Sequence, residues 1–584
     1  MITSLEWDDL VYSKPNLDTD IKAISKIIGI DSEAYTTGEP FMFCTPDDDI
    51  LPEQIPDIFF TPKYVNANFV IYNMKYDSGA LLYFLPRSTM YALWEENEVI
   101  YQNYKYQYIP HKLLRIVKGR DRVNFWDISQ FYKSSLDKAS QTYLNERKID
   151  IRTKKFSKKF VHYFRGYIRK YCKRDAWLTE KLGEYLVNKL KSFNIITPSL
   201  YSCASISFQY FRTNTDIVTI WRLFKHHPNF VKMACDSYEG GKFEVTHRGA
   251  FTGYEYDITS AYPYEIANLV DISKAKVKFS STYEKEAVYG FIRCRIDNRS
   301  RTHIPCGIMT KNVRVYPAGV FYLTVTKQEY EYMIESGVKV KIVYGAWLFV
   351  NRKRYPYRHI IDTLFEIKKK SKNDRLVYNF SKIIMNSFYG KTVQVIKMPD
   401  GRQVAGMGWN PVYGSVITAN TRIKVTKIQN LLGNRCFAVH TDSVMTDIPL
   451  PDYLVKGGLG EFEYVDKGKS ILIACGMYQL NKANAFKGFK PRNGDTWQSI
   501  LENNRKKKII PYPVLHVESW VEAMAKNHDK LRINVFADEI KQIDLNCDSK
   551  RIWKRPVTGG DLLDTFEDSM HKVMVQPNPP KHWK

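Results

Sequence analysis

Hydrophobic positions recur with a helical period from about 373 to 390. There Lys382, Asn386 and Tyr389 stand at i, i+4 and i+7 on one face, while Ile383, Ile384 and Phe388 lie off it. A helix ended by Gly390 is expected. The pattern at 254–263 predicts a strand that carries Asp257 to its end and then turns, and 437–445 predicts two short apolar strands about a tight turn with Asp442 at the tip. Near the start, 27–33 reads as one strand whose period of two puts Asp31 and Glu33 on the same face. Residues 69–77 predict a strand leading into a helix over 78–85, for which Asp77 is a candidate N-cap. Tyr171 and Asp175 stand at i and i+4 near the start of an amphipathic helix with Trp177, Leu178, Leu182 and Leu186 as its buried stripe. Short strands are expected at 288–296 and 338–350, and Pro399-Asp400-Gly401 signals a turn between two more. From about 471 onward helical segments are expected between basic clusters, and 1–26 reads as an extension or edge element.

Composition adds a partner to this outline. A chain of 584 residues with 44% hydrophobic content can form three or four domains. Its formal net charge of +25 and its 40 tyrosines suit a phosphate backbone with stacked bases, although a solvated lysine-rich surface would carry the same charge. The nine cysteines form no C-x-x-C pair or zinc spacing, so a reduced, intracellular protein is expected. No apolar leader core or long apolar run occurs, and neither secretion nor a membrane span is expected.

Lys382, Asn386 and Tyr389 offer a cation, an amide and a ring together, a set that suits a nucleoside triphosphate; an amphipathic helix with a snorkelling lysine is the other reading. The basic run Lys368, Lys369, Lys370, Lys372 and Arg375 leads into this helix, where it would meet phosphates. Carboxylates side by side at 31 and 33 repel unless a cation sits between them. Residues 152–174 are densely basic, with Phe156, Phe160, Tyr163, Phe164, Tyr167 and Tyr171 interleaved, and read as a DNA-facing surface. Tyr238-Glu239-Gly240-Gly241 marks a domain join, its paired glycines permitting a turn closed to side chains.

In chain order these segments resemble the polymerase motifs of family B DNA polymerases: DxxSxYP at Asp257, KxxxNSxYG at Lys382 and the DTDS hairpin at Asp442. The earlier segments, D-x-E, N-x-x-Y-D and Y-x-x-x-D, resemble the 3′–5′ exonuclease domain of the same family. The resemblance implies that Asp257 and Asp442 bind metal and that Lys382, Lys370 and Asn386 meet the nucleotide. Tyr389 would pack on base and sugar, and Tyr262 would exclude a 2′-hydroxyl. In the exonuclease it implies Asp31, Glu33, Asp77 and Asp175 as metal ligands, Tyr171 as the residue that positions water, and Asn73 and Tyr76 as contacts to a frayed strand. Ser135 and Leu136 resemble a segment that binds single-stranded DNA or the priming protein in the protein-primed branch. Tyr238, Gly240 and Gly241 resemble a YxGG element that partitions the primer end. A family Lys-x-Tyr is reduced here to Gly476-Met477-Tyr478, which keeps Tyr478 and leaves Lys482 or Lys487 to replace the lysine. Ala34 stands where the family has Thr, and His440 where it has Asp; the imidazole is expected to make activity pH-sensitive between roughly 5 and 8.

The fold implied is α/β (α+β multidomain), an RNase H-like 3′–5′ exonuclease domain plus a right-hand polymerase of palm, fingers and thumb. Its expected divisions are an extension and exonuclease over 1–195, a linker and first palm segment over 196–269, and an insertion resembling the first terminal-protein region over 270–355. Fingers over 356–390, a shortened second insertion over 391–410, a second palm segment over 411–469 and a thumb over 470–584 follow. The function implied is DNA-templated synthesis with proofreading, two Mg²⁺ (or Mn²⁺) per active site, and protein-primed replication of a viral or plasmid genome. A primer-independent relative, or a degenerate polymerase kept as a DNA-binding module, are the alternatives. Expected partners are primer-template DNA, dNTPs and a terminal protein, with the chain a monomer in the cytoplasm of a host cell or in an organelle, and no membrane.

Overall fold

The computed structural model describes residues 10–17, 22–151, 156–310, 313–398, 400–481, 483–492, 494–519, 521, 523 and 534–575. As expected, the fold is mixed α/β with several domains. The N-terminal part is built on a six-stranded sheet in the order Ile27–Gly29, Asn68–Ile71, Asp121–Asp127, Leu113–Lys118, Tyr104–Ile109, Glu98–Tyr101. Its first three strands are parallel and the rest antiparallel. The run 27–33 is therefore not one strand. It breaks at Ile30, and Asp31–Ala34 pairs instead with Pro40–Cys44 in a separate sheet. Gly29 makes the break possible, because the long helix Lys158–Ser192 lies so close that a Cβ there would meet the Ala176 carbonyl.

Two helices differ from expectation. Tyr171 and Asp175 lie in the middle of the 35-residue helix Lys158–Ser192 rather than near its start. Asp77 lies inside the helix Met74–Leu81 and does not cap it; Asn73 is the N-cap, and Asp127 accepts from the amides of Asn73 (3.3 Å) and Met74 (3.0 Å). Asp77 is thereby left free of a capping duty.

The central sheet runs in the order Lys242–Val245, Cys436–Thr441, Ser443–Thr446, His247–Ile258, Phe462–Ala474, Met477–Leu480, Ala483–Phe486. One continuous core joins the first sheet to the helices Arg375–Thr392 and Pro411–Leu432, with Val70, Trp126 and Leu182 in the same cluster as Ile384, Phe388 and Tyr413. Phe388 stacks on Phe211 at 4.0 Å between centroids. The insertion over 270–355 forms its own sheet from Lys276–Ser280, Lys339–Phe349, Tyr289–Asn298 and Ala318–Thr326.

The expectation of helices after 471 is corrected. That region is mostly strand, dominated by the long hairpin Ile509–Ser519 with Asn534–Asp544, and its described helices are the short Trp497–Asn503 and Asp561–Asp564. Residues such as Ile509, Ile510 and Val514 favour a pleated surface. The chain end also leaves this region: Glu567–His571 pairs with His247 and Arg248, and Val573–Val575 pairs in parallel with Ala318–Thr326. Val395–Lys397 and Gln403–Ala405 form the short expected hairpin, and Leu10–Val11 adds to it as an edge strand. Lys482 and residues 152–155 lie outside the described residues.

Candidate active sites

The strand His247–Ile258 runs antiparallel to Ser443–Thr446, which sets Asp257 opposite Ser443, while the Ile258 amide donates to the Asp442 carbonyl at 2.9 Å. Asp442 occupies the tip of the expected hairpin. Thr441 there has φ 64, and the Asp442 amide closes the turn on the His440 carbonyl at 2.8 Å. The Asp442 carboxylate is close enough to perturb Asp257. Burial, then Asp442, Glu463 and Glu255, push Asp257 up to about 7, with Lys382 opposing. Burial also raises Asp442, against its own amide and Lys382. Glu463 faces Asp257 across the next strand, a third carboxylate absent from the sequence reading because no motif surrounds it and sheet register alone reveals it.

Lys382 belongs to the helix Arg375–Thr392, whose first turn is capped by Asp374 through the Val377 amide (3.1 Å). Lys382 and Asn386 are exposed on it and Tyr389 is half-buried. Gly390 does not end the helix, which continues to Thr392; a Cβ at 390 would meet nothing within 4 Å, so no close approach demands glycine there. Tyr389 shares a 2.5 Å hydrogen bond with the Tyr238 hydroxyl and packs on Tyr262 at 4.6 Å between centroids. The Tyr238 segment thus reaches the candidate nucleotide face. Lys370 ends the preceding helix, Arg358–Lys370, and is exposed, whereas Lys368 reaches Ser260 Oγ at 3.2 Å and interacts with Glu463 and Asp257. Two positions apart on a helix of 3.6 residues per turn, the two lysines face different sides, but a run of like residues hides which one turns inward.

Neither Gly240 nor Gly241 has a positive φ, so the join is not a left-handed turn. Gly241 is required by close approach, since a Cβ there would lie 2.6 Å from the Thr441 methyl. Glu239 is buried, accepts from the Gly307 amide (3.0 Å) and pairs with Arg314 (2.7 Å). Arg422 holds the main chain of Glu239 and Gly240 at 2.6 and 2.8 Å.

His440 corrects the pH expectation. It is buried, stacks on Tyr478 at 4.9 Å and 9°, and burial, then Lys550, pull its pKa down to about 4, so the ring is neutral from pH 5 to 8. The Tyr478 hydroxyl lies 3.5 Å from Glu255. Gly476 has φ +75, and a Cβ on it would touch the Lys487 stem at 3.5 to 3.9 Å, so the Lys487 side chain runs through the space beside Gly476.

The second carboxylate cluster lies between the strand Asp31–Ala34 and the helices Met74–Leu81 and Lys158–Ser192. Burial, then Asp77, Asp175 and Glu33, hold Asp31 well above the carboxylate range; burial, then Asp175 and Asp77, do the same to Glu33. Asp77 is pushed up to about 7 by burial, against a 2.5 Å bond from Ser32 Oγ. Tyr76 comes near the same carboxylates. Tyr171 is buried beside them, with the Lys148 ammonium 5.1 Å from its ring and ion-paired to Asp175. Lys148 was missed because no local pattern marks it. A cleft of about 550 Å³ opens here, lined among others by Asp31, Asn73, Ser135, Leu136, Lys148 and Asp175. Ser135 also caps the helix Leu136–Leu144 through the Lys138 amide. Both clusters present several oxygen donors whose mutual repulsion a divalent ion would relieve, so the residues fit hard cations.

Two carboxylates at the ends of adjoining strands beneath a lysine-bearing helix form one candidate centre, and the separate acidic cluster beside the first sheet forms another. Residues 147–400 match the family described as DNA polymerase type B, organellar and viral. The structure of phi29 DNA polymerase superposes on 89% of this chain and 100% of its own with a TM-score of 0.63 at 15% identity, a likeness of fold. Phi29 DNA polymerase complexed with primer-template DNA and incoming nucleotide gives 0.61, again at 15% identity, over 89% of this chain and 99% of its own. The DNA polymerase of Acidianus bottle-shaped virus (isolate Italy/Pozzuoli) is 26% identical over 362 residues, 59% of this chain and 52% of the relative, so the match spans about half the length of that curated relative. The family match covers less than half of this chain. Among the described residues no helix is long and apolar enough to cross a membrane.

Proposed function

We propose that this chain is a DNA-templated DNA polymerase with its own 3′–5′ exonuclease. The observation that carries the reading is the meeting of Asp257 and Asp442 at one sheet end, with Lys382 close enough to act on both. Asp257 and Asp442 would hold the divalent ions, with Glu463 beside them. Such ions, when bound, supply positive charge to the attacking oxygen and to the leaving pyrophosphate. Lys382 neutralises the triphosphate, and Lys368 adds a second cation at the Ser260 turn. Tyr389 gives base and sugar a flat wall, and Tyr262, packed on it, closes the space a 2′-hydroxyl would need. Tyr238, bonded to Tyr389, links this wall to the path between the two sites.

In the exonuclease, Asp31, Glu33, Asp77 and Asp175 would hold the ions, Tyr171 orients the attacking water, and Lys148 balances Asp175. Asn73, Tyr76, Ser135 and Leu136 line the way in for a frayed 3′ end. The domain divisions given above are retained as assignments, with 567–575 moved from the thumb to the palm and the insertion. Protein priming on a viral or plasmid replicon is the further reading, supported by the phi29-like fold.

Primer extension with Mg²⁺ or Mn²⁺ tests the core claim: incorporation is expected in the native chain and not in Asp442→Asn. Absence of incorporation in both would leave a DNA-binding module. Labelled dNTP supplied with a candidate terminal protein should give a covalent protein–nucleotide adduct; synthesis without either primer or adduct would favour the primer-independent alternative.

A further inference from the structure

A partly enclosed cavity of about 240 Å³ lies where the start of the strand His247–Ile258, the turn before His303 and the paired strands Arg551–Trp553 and Glu567–His571 meet. Asp257 stands at the far end of the first of these strands, roughly 30 Å from His247 at about 3.3 Å per residue, so the cavity is separate from the candidate polymerase centre. Three of the chain's 12 histidines, His247, His303 and His571, line it together with Arg301 and Arg551.

The anions around this space are already matched. Glu244 accepts from Arg551 (2.5 Å) and pairs with Lys242 (3.4 Å), Asp568 pairs with Lys554 (3.0 Å), and Asp447 pairs with Arg435 (2.7 Å). Arg551 also donates to Ser569 Oγ at 2.6 Å, whereas the exposed Arg301 side chain makes no ion pair or hydrogen bond among the described residues. One carboxylate between two cations, with a free guanidinium beside them, leaves positive charge in excess. The helix Pro411–Leu432 ends at Gly433 on the cavity wall, and its last carbonyls bring about half a negative charge, less than that excess.

The rings are held neutral. Burial pulls His247 down to about 4 against Asp568, and His303 to about 3 against Glu244; burial, then Arg551, lowers His571. His571 Nδ1 donates to the Tyr316 carbonyl (3.2 Å) and His247 Nδ1 bonds Thr246 Oγ (2.8 Å), while His303 Nδ1 is buried without a hydrogen-bond partner among the described residues, 3.9 Å from Glu244. Three imidazoles also suit a transition metal, but among the described residues no three metal-binding donors of this cavity come within 4.8 Å of one another, and two guanidinium groups share the space.

We infer that this cavity binds a small phosphate-class oxyanion, inorganic phosphate or pyrophosphate, held by Arg301 and Arg551 with His303 and His571 as further donors. At roughly 30 Å³ per water the space equals about eight waters, room for such an anion but less than the roughly 300 Å³ at which pockets for larger ligands begin. The anion's charge favours imidazolium, so binding draws in protons and tightens as pH falls. Its contacts come from distant parts of the chain, so an occupied cavity ties the insertion and the chain's end to the central sheet.

Equilibrium dialysis of the full chain in EDTA against ³²P-labelled pyrophosphate tests this, beside Lys382→Ala, which removes a cation of the candidate nucleotide face. Binding should survive in Lys382→Ala and weaken at least about tenfold in Arg301→Ala, as loss of a hydrogen bond to a charged group implies. Arg301 is exposed, and an unaltered melting temperature checks the fold of the variant. Loss of all binding in Lys382→Ala, or equal affinity in Arg301→Ala and the native chain, overturns the site. Sulfate, whose charge is fixed over this range, should displace the label at least about threefold better at pH 5.5 than at pH 8, and equally at both in His303→Asn with His571→Asn. Equal displacement at both pH values from the native chain overturns the part given to the rings.

Discussion

Asp257 near pH 7 has a consequence for stability with a definite sign. A carboxyl whose folded pKa is raised contributes stability that is fully present below its unfolded value, about 3.9, and is lost as pH rises through about 7. The ion-free chain should therefore melt at a lower temperature at pH 8 than at pH 6, and a bound divalent ion should offset the loss because it favours the ionised carboxylates. Thermal melts with EDTA and with Mn²⁺ measure this. Asp257→Asn should flatten the EDTA profile in part; an unchanged profile would mean that other groups, Asp31 and Glu33 among them, set it alone. The same substitution should lower synthesis by about 10²- to 10³-fold or more, judged from the cost of removing one preorganised electrostatic group, while primer degradation continues. Asp31→Asn should do the reverse. At this scale the sequence names candidate residues but not their surroundings. His440 reads as a switch between pH 5 and 8 until burial and the Tyr478 ring are known, and Lys370 and Lys368 cannot be ranked until the helix face is.

The Asp442 hairpin depends on its neighbour strand. Lys242 pairs with Thr441, and the preceding Gly241 lets the two chains close to within contact of the Thr441 side chain. Gly241→Ala would push on the turn tip, an overpacking that costs about 1 to 3 kcal/mol, and should reduce synthesis with little effect on primer degradation. Pre-steady-state incorporation measures it, and an unaltered rate would show that the turn accommodates the methyl. A second element carries its own expectation. Lys487 lies beside Gly476 and near Tyr478, so Lys487→Ala should weaken primer-template binding uniformly across sequences and lower the slope of log affinity against log salt by about one. Elements were read well where a turn interrupts two apolar runs, as at Asp442, and badly where periodicity continues through a change of sheet. Nothing in the alternation of 27–33 marks the break at Ile30, because it is made by a helix some 150 positions away in the chain. In the region after 471 basic clusters suggest helices, while β-branched positions such as Ile509, Ile510 and Val514 favour the strand pairing that forms.

Across the whole molecule the order of motifs anticipated the architecture but not its closures. The strand Val573–Val575 finds its partner some 250 positions earlier, a pairing no local pattern announces. The arm formed by Ile509–Ser519 and Asn534–Asp544 is another closure. Its base packs Ile510 and Tyr512 against Ile471 and Ile473 of the central sheet, whereas Val521, just beyond one strand of the arm, is fully buried in the core of the N-terminal domain with Phe69 and Leu81. The arm is thus rooted at the central sheet and pinned to the N-terminal domain, and on the proposed function it would retain DNA held between them. Val521→Glu should release the pin, because leaving the contact costs less than burying an unpaired carboxylate. Extension of a primer in the presence of a heparin trap should then give products several-fold shorter per binding event, with single-nucleotide incorporation little changed, since Asp257, Asp442 and Lys382 are untouched. Full-length products under the trap would mean that the arm rests on the N-terminal domain without retaining the template.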